Sequence, residues 1–258
     1  MSENVLITVS RQPKGHKMQS GIYVGLSGQI ALERRMGTIA HNVANSSTAG
    51  FRSEEIKFES VLSAVPPEPV AFASTGGTYL SRQSGGFVQT GNQFDVAVQG
   101  DVWLSIDVNG TQVYTRDGRM RMTDNGDLQT LNGNSILDAG GAPITLDPNG
   151  GAPQIAHDGT ITQTGRSFGA SGLYRIDENA KLMRADNSGV IPSLTPEAAL
   201  DFSNVGVMQG YIEQSNVNPV QEITQLISVQ RAFEGITNSI NLADTALQDA
   251  IKALGSEA

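Results

Sequence analysis

From Leu226 to Leu254 one pattern runs unbroken. Leu226, Val229, Phe233, Ile236, Ile240, Ala243, Leu247, Ala250 and Leu254 follow one another at steps of three and four. On an α-helix such steps draw a single apolar line, an a/d seam of about four heptads. Asn218-Pro219 supplies an N-cap and the fixed φ favoured at the first helical position, Gln221 can close a capping box, and Gly255 ends the run. The opposite face carries Glu234, Asn241, Asp244, Gln248 and Lys252. Burying the large seam residues stabilises by roughly 10–20 kcal/mol in all, at ~1.5–3 kcal/mol each. Left in water the seam gains nothing, and ordering still costs ~1–2 kcal/mol per residue. A chain with this segment must give it a partner: a second helix of its own, other subunits, or both.

A second helix is predicted over 20–44. Ile22, Gly25, Gln29, Leu32, Met36, Ile39 and Val43 alternate steps of three and four, and Leu26, Ile30 and Ala40 widen the stripe. Gly25, Gly28 and Gly37 interrupt it, each costing about 1 kcal/mol against Ala, so this helix is marginal alone and needs something packed on it.

Between the helices the period changes to two. Phe94, Val96, Val98, Val102, Leu104, Ile106 and Val108 all fall at even positions, with Gly100 marking a bulge or bend. Turn dipeptides follow closely: Asn109-Gly110, Asp117-Gly118, Asn125-Gly126, Asn132-Gly133, Asn149-Gly150 and Asp158-Gly159. That spacing fits a meander of short antiparallel strands. The expected class is α+β, with the terminal helices pairing as a coiled-coil-like layer and a central all-β domain. The expected division is an N-terminal extension 1–17, the first helix and its junction 18–63, a Pro/Gly/Ser-rich extended linker 64–85, the β domain 86–205, and a C-terminal junction and long helix 206–258.

Several classes of function are disfavoured. A formal charge of −9 without any Lys/Arg run argues against nucleic acid as a partner. The absence of cysteine rules out disulfides and thiolate chemistry. No apolar run approaches the ~20 residues of a spanning helix, so membrane insertion is not expected. The segment Val5-Leu-Ile-Thr-Val9 is too short for a signal peptide, and Glu3 precedes it. His16, His41 and His157 lack metal spacing, and His41 at a helix end reads as satisfying terminal carbonyls. There is no P-loop and no nucleophile elbow. Asp124-Asn-Gly-Asp127 and Asp177-Glu-Asn179 read as turns rather than calcium loops. Trp103, opposite Val102 and Leu104, reads as packing. No catalytic residue, metal site or cofactor is expected.

Three motifs then bring a family into view. Asn42-Val-Ala-Asn45 followed by Ser-Ser-Thr-Ala-Gly-Phe-Arg52 resembles the N-terminal signature of the flagellar axial proteins, the rod and hook group. Gln214-Ser-Asn-Val217 leading to Gln230-Arg-Ala-Phe-Glu234 is similar to that group's C-terminal signature, and Tyr114-Thr-Arg-Asp-Gly118 to its core-domain motif. Length and wording most resemble the proximal-rod branch, with the distal-rod branch as its close relative. The chain departs from the group's Gly-x-Gly-Phe-Phe in Gln99-Gly-Asp-Val-Trp103, and the group's usual start matches Met18-Gln-Ser-Gly-Ile22.

The resemblance implies a structural subunit of a helical tubular polymer in the periplasmic rod, exported by the flagellar export apparatus without a cleaved signal peptide. Its partners would be further copies and neighbouring rod subunits. Subunit contacts are expected at Ile22, Leu26, Ile30, Leu32, Met36 and Ile39, facing Leu226, Val229, Phe233, Ile236, Ile240, Leu247 and Leu254. Asn42, Asn45, Thr48, Gly50 and Phe51 are expected at the junction between an inner helical layer and an outer β domain, with Gly50 permitting the turn and Phe51 anchoring it. Two other readings compete. One is an extracellular β-sandwich carbohydrate-binding or hydrolytic protein with helical oligomerisation arms. The other is a coiled-coil adhesin or appendage subunit, which needs the seam but not the junction motif.

Overall fold

The computed structural model describes residues 15–63, 70–186 and 188–255, without side chains for 15–20, 58–63, 70–75 and 254. Residues 1–14 of the extension and 64–69 of the expected linker lie outside the described residues. Helix α1 spans Gly15–Ala44, and helix α2 spans Pro219–Gly255. The α2 start is set as its sequence suggests: the Asn218 side chain accepts from the amides of Val220 and Gln221, both at 3.2 Å.

Strands β1 (Glu54–Ser63) and β2 (Val70–Leu80) pair as a two-stranded sheet. A strand thus occupies much of the stretch expected to be an extended linker, because its β-branched and aromatic residues find a ladder partner in 54–63. Next come β3 (Phe87–Gln89), β4 (Val96–Gln99), β5 (Trp103–Val108), β6 (Thr111–Thr115), β7 (Met120–Met122), β8 (Leu128–Thr130) and β9 (Ser135–Ile136). β10 (Gln154–Ile155), β11 (Thr160–Gln163) and β12 (Arg166–Ala170) form a three-stranded sheet. β13 (Leu173–Arg175), β14 (Leu182–Ala185), β15 (Gly189–Pro192), β16 (Glu197–Ala198), β17 (Gly206–Gln209) and β18 (Tyr211–Glu213) complete the set.

The main sheet runs β14-β15-β6-β5-β9-β8-β7, with β13 pairing β5 and β16. Its pairings are antiparallel, and the β5–β6 hairpin turns through Asn109-Gly110, both with positive φ. β17 pairs β4, and β18 pairs β3. Strands β17 and β18 therefore carry the β structure past residue 205, into the segment expected to be a junction.

The chain forms two compact units. One holds α1 up to Gly37, the 57–76 ribbon segment, and α2 from Leu226. The other comprises Thr38–Ile56 and Gly77–Gln225. The second is built around two apolar clusters. The even-numbered face of β4 and β5 (Val96, Val98, Val102, Leu104, Ile106) packs with Met120, Leu128, Ile136 and Ile161. The alternation in the sequence suggests one buried face, but Ala97, Trp103 and Ser105 are buried too. Trp103 packs in a second cluster with Leu80, Tyr114, Ile176, Ala180 and Val190. The central strands are thus covered on both sides, and the face bearing Trp103 leads to the site described next.

Candidate functional site at the chain junction

After α1 the chain must turn, and side chains join backbone turn bonds in taking up its freed backbone groups. The Asn45 amide donates to the carbonyl of His41 at 2.9 Å, and the Thr48 hydroxyl donates to Asn45 Oδ1 at 3.2 Å. Buried Asn42 acts as a surrogate strand residue: its Oδ1 accepts from Glu54 N and its Nδ2 donates to Glu54 O, both at 2.9 Å. Gly50, at φ +66°, donates its amide to the carbonyl of Glu213 at 2.9 Å. A Cβ there would sit 2.3 Å from the amide nitrogen of Asp117, so only glycine fits. Phe51 is wholly buried, with the Arg184 guanidinium 4.3 Å above its ring and the edge of His41 at 5.5 Å. His41 turns its Nδ1 toward the Glu54 carboxylate at 3.6 Å rather than toward terminal carbonyls.

Beyond Phe51 lies a buried ionic cluster. Glu213 has no exposed surface, and its two oxygens take Arg52 Nη2 and Arg116 Nε, each at 2.8 Å. Oε1 also accepts from the amide of Gly85 at 3.1 Å. Arg116 donates further to the carbonyls of Gly100, at 2.7 Å, and Val102, while Arg52 reaches the carbonyl of Gln83. Both guanidiniums lie 5.7 Å from the centre of the Trp103 ring. Burial pulls the pKa of Arg52 down to about 10 despite the attraction of Glu213, and it lowers that of Arg116 by the same contest. Removing one member of such a cluster strands a buried charge. Asn216 closes the arrangement, accepting from Ser53 N at 2.7 Å and donating to Gln83 O at 3.0 Å.

Every expected junction residue falls in this region. Sequence reading did not single out Glu213, Arg116 or Asn216 individually, yet the signals were at hand. Arg52, Arg116 and Asn216 each stand inside one of the three family motifs, and Glu213 directly precedes Gln214-Ser-Asn-Val217. The structure joins those motifs around one carboxylate.

The helical residues behave differently. Leu226, Phe233, Ile236, Ile240 and Leu247 are half-buried and Val229 is buried, whereas the side chain of Leu254 lies outside the described residues. Ile22, Leu32 and Met36 are half-buried and Ile39 is buried, but Leu26 and Ile30 are each 47% exposed. In the helical unit α1 meets α2 at its glycines. A Cβ on Gly25 would lie 3.0 Å from Ile240, and one on Gly28 would lie 3.1 Å from Ile236. Beside them Gln29 donates to the Thr237 hydroxyl at 2.8 Å. Gly25 and Gly28, which count as a cost on propensity, are points of close approach, whereas a Cβ on Gly37 would meet nothing within 4 Å.

Among the described residues no group of His, Asp and Glu could hold a metal ion. The family described as "Flagella basal body rod protein" matches residues 22–52, "Flagellar hook protein FlgE/F/G D1 domain" matches 97–163, and "Flagellar basal body rod FlgEFG protein C-terminal" matches 208–253. The flagellar basal-body rod protein FlgF of Mesorhizobium japonicum is 49% identical, over 93% of this chain and 100% of its own length. The chain belongs to the flagellar basal-body rod protein family. FlgF of Rhizobium meliloti is 48% identical over 92% of the chain and 99% of its own length, and FlgG of Bacillus subtilis is 27% identical over 91% and 98%. Like these relatives, the chain is a structural rod protein of the flagellar basal body and not an enzyme, and the carbohydrate-binding or hydrolytic alternative has no support among them. Each matched stretch holds one member of the Arg52, Arg116, Glu213 cluster.

Proposed function

We propose that this rod protein polymerises through its terminal helices, as part of the proximal rod that transmits torque. The observation that carries the reading is the state of the helical seam. Leu226, Phe233, Ile236, Ile240 and Leu247 of the seam are only half-covered within the chain, while Leu26, Ile30, Ile227, Leu242 and Ile251 stand exposed beside them, Leu242 at 72%. Further helices, supplied by other copies or neighbouring rod subunits, would complete a coiled-coil-like layer. Contacts between copies that do not close a ring generate an open helical filament. The interface would use the seam from Leu226 to Leu254 together with Ile22, Leu26, Ile30, Leu32, Met36 and Ile39.

The junction would carry the chain from the first helix into the β domain, with Gly50 permitting the turn and Phe51 anchoring it. The subunit would reach the periplasmic rod through the flagellar export apparatus, without a cleaved signal peptide. Identity to FlgF relatives runs from 31% to 49%, against 27–28% to FlgG relatives, which supports the proximal position. No described helix is long and apolar enough to cross a membrane, and the formal charge of −9 disfavours nucleic acid as a partner.

The test is Phe233→Asp or Ile236→Asp in the chromosomal copy. Rod assembly and swimming are expected to be lost while the purified variant keeps the melting temperature of its β-rich unit. Normal swimming by either variant would defeat the reading.

A further inference from the structure

Over the ionic cluster opens a cleft of about 330 Å³. Its walls include the buried Arg52 and Arg116, with Arg82 and Ser84 beside them and the exposed acids Asp101 and Glu178 at the rim. The two buried guanidiniums share a single buried carboxylate, Glu213, which leaves one positive charge without a buried counterpart. Among the described residues, Asp101 and Glu178 lie within ion-pair distance of none of the three arginines, and Asp101 attracts the charges of Arg52 and Arg116 only from the rim.

Hydrogen-bond donors are also in excess. The buried Nε of Arg52 and Nε1 of Trp103 have no acceptor. The Ser84 hydroxyl accepts from Arg116 Nη2 at 3.2 Å and from Arg52 Nη2 at 3.4 Å, so its own hydrogen is left to donate outward. Arg82 spends Nη1 on the carbonyl of Ile176 at 3.1 Å and Nη2 on those of Asp177 and Ala180 at 2.7 and 3.0 Å. Two of its five N–H groups remain for a ligand.

We propose that this cleft binds a single carboxylate, held by Arg82 and the Ser84 hydroxyl above the Arg52–Arg116 pair. One negative charge answers the one left over below, whereas a multiply charged phosphate would meet both rim acids. Two sources share this chemistry. One is an Asp or Glu side chain of an adjoining subunit, favoured because the chain carries 26 acidic against 17 basic residues, so a neighbouring copy presents acids in excess. The other is a small organic acid. Only the choice of source rests on the rod reading.

The single tryptophan of the chain is Trp103, so its indole N–H gives one unambiguous NMR signal beside the cleft. The purified full chain is titrated with sodium acetate against sodium chloride at fixed ionic strength. A saturable shift specific to acetate is expected. Affinity should fall roughly tenfold in Arg82→Gln and about fivefold in Ser84→Ala, and rise about threefold in Asp101→Asn, the scale of one charged hydrogen bond and one exposed charge. Ser84→Ala leaves the carbonyl bonds of Arg82 and Arg116 in place and serves if Arg82→Gln misfolds. A response that chloride reproduces, that never saturates, or that these variants leave unchanged overturns the site, whatever the swimming behaviour. Given a saturable response, loss of swimming in Arg82→Glu assigns the carboxylate to a neighbouring subunit, and normal swimming assigns it to a small acid. Failure of the rod reading itself would show separately, in the Phe233 and Ile236 variants.

Discussion

The junction around Glu213 and the helical seam both join the two ends of the chain, in opposite ways. At the junction most partners are internal, though the buried Nε of Arg52 and Nε1 of Trp103 have no acceptor. Asn42, Gly50, Phe51, Arg52, Arg116 and Glu213 are buried, and backbone and side chains answer one another within hydrogen-bond distance. Along the helices the apolar line is half-covered, and residues such as Leu26 and Leu242 remain in water. The junction is specified by polar geometry, which tolerates little substitution. The seam is specified by apolar area, which gains stability only as more of it is covered. A subunit that must exist first as a separate chain and then as part of a filament needs one region of each kind.

That contrast can be broken experimentally. The largest effect is expected from Glu213→Gln, which leaves two buried guanidiniums without a counter-charge. The β-rich unit should lose about 3–5 kcal/mol, read by urea unfolding. Gly50→Ala combines a φ of +66° with a Cβ driven into the 116–117 backbone, and about 2–4 kcal/mol of destabilisation is expected in the same assay. Asn42→Ala orphans the amide and carbonyl of Glu54 and should cost about 1–3 kcal/mol. Substitutions in the arms should hardly register there. Gly28→Ala gains about 1 kcal/mol of helix propensity against crowding by the flexible end of Ile236, so its net effect on helicity by circular dichroism should be under about 1 kcal/mol in either direction. Amide hydrogen exchange on the isolated chain sharpens the contrast further. Strong protection over 86–205 with weak protection over 20–37 and 226–254 is expected, and equal protection in both would erase the distinction.

The seam and the strands were legible because each rests on a local period. The steps from Leu226 to Leu247 coincide with the less exposed positions of α2, and Asn218 caps it where the Asn-Pro pair suggests. The pairing of β1 with β2 was not legible, because a ribbon depends on register across a gap and Pro and Gly residues in the segment mask it. Trp103 packs as its sequence suggests, but the rest of the second buried face of β5 was not legible: alternation marks one covered face, and Ser105 is covered by elements distant in sequence. Motif resemblance located the junction, but not its chemistry. Nothing in the wording of the motifs says that Arg52 and Arg116 meet on Glu213, since their pairing is a property of the fold. Gly25 and Gly28 of α1 show the limit of propensity most plainly, because their cost is local and their use lies in the approach of Ile236 and Ile240.

The bond from Ser53 N to Asn216 spans 163 positions of the chain. Closing so long a loop costs on the order of 4–5 kcal/mol of chain entropy, against roughly half that for a loop of ten residues. The N-terminal motif therefore has no native resting place until nearly the whole chain is available. A polypeptide cut short before Glu213 would hold Arg52 and Arg116 with no acid between them. The cluster thus acts as a test of completeness, passed only by a chain that runs from Arg52 through Glu213.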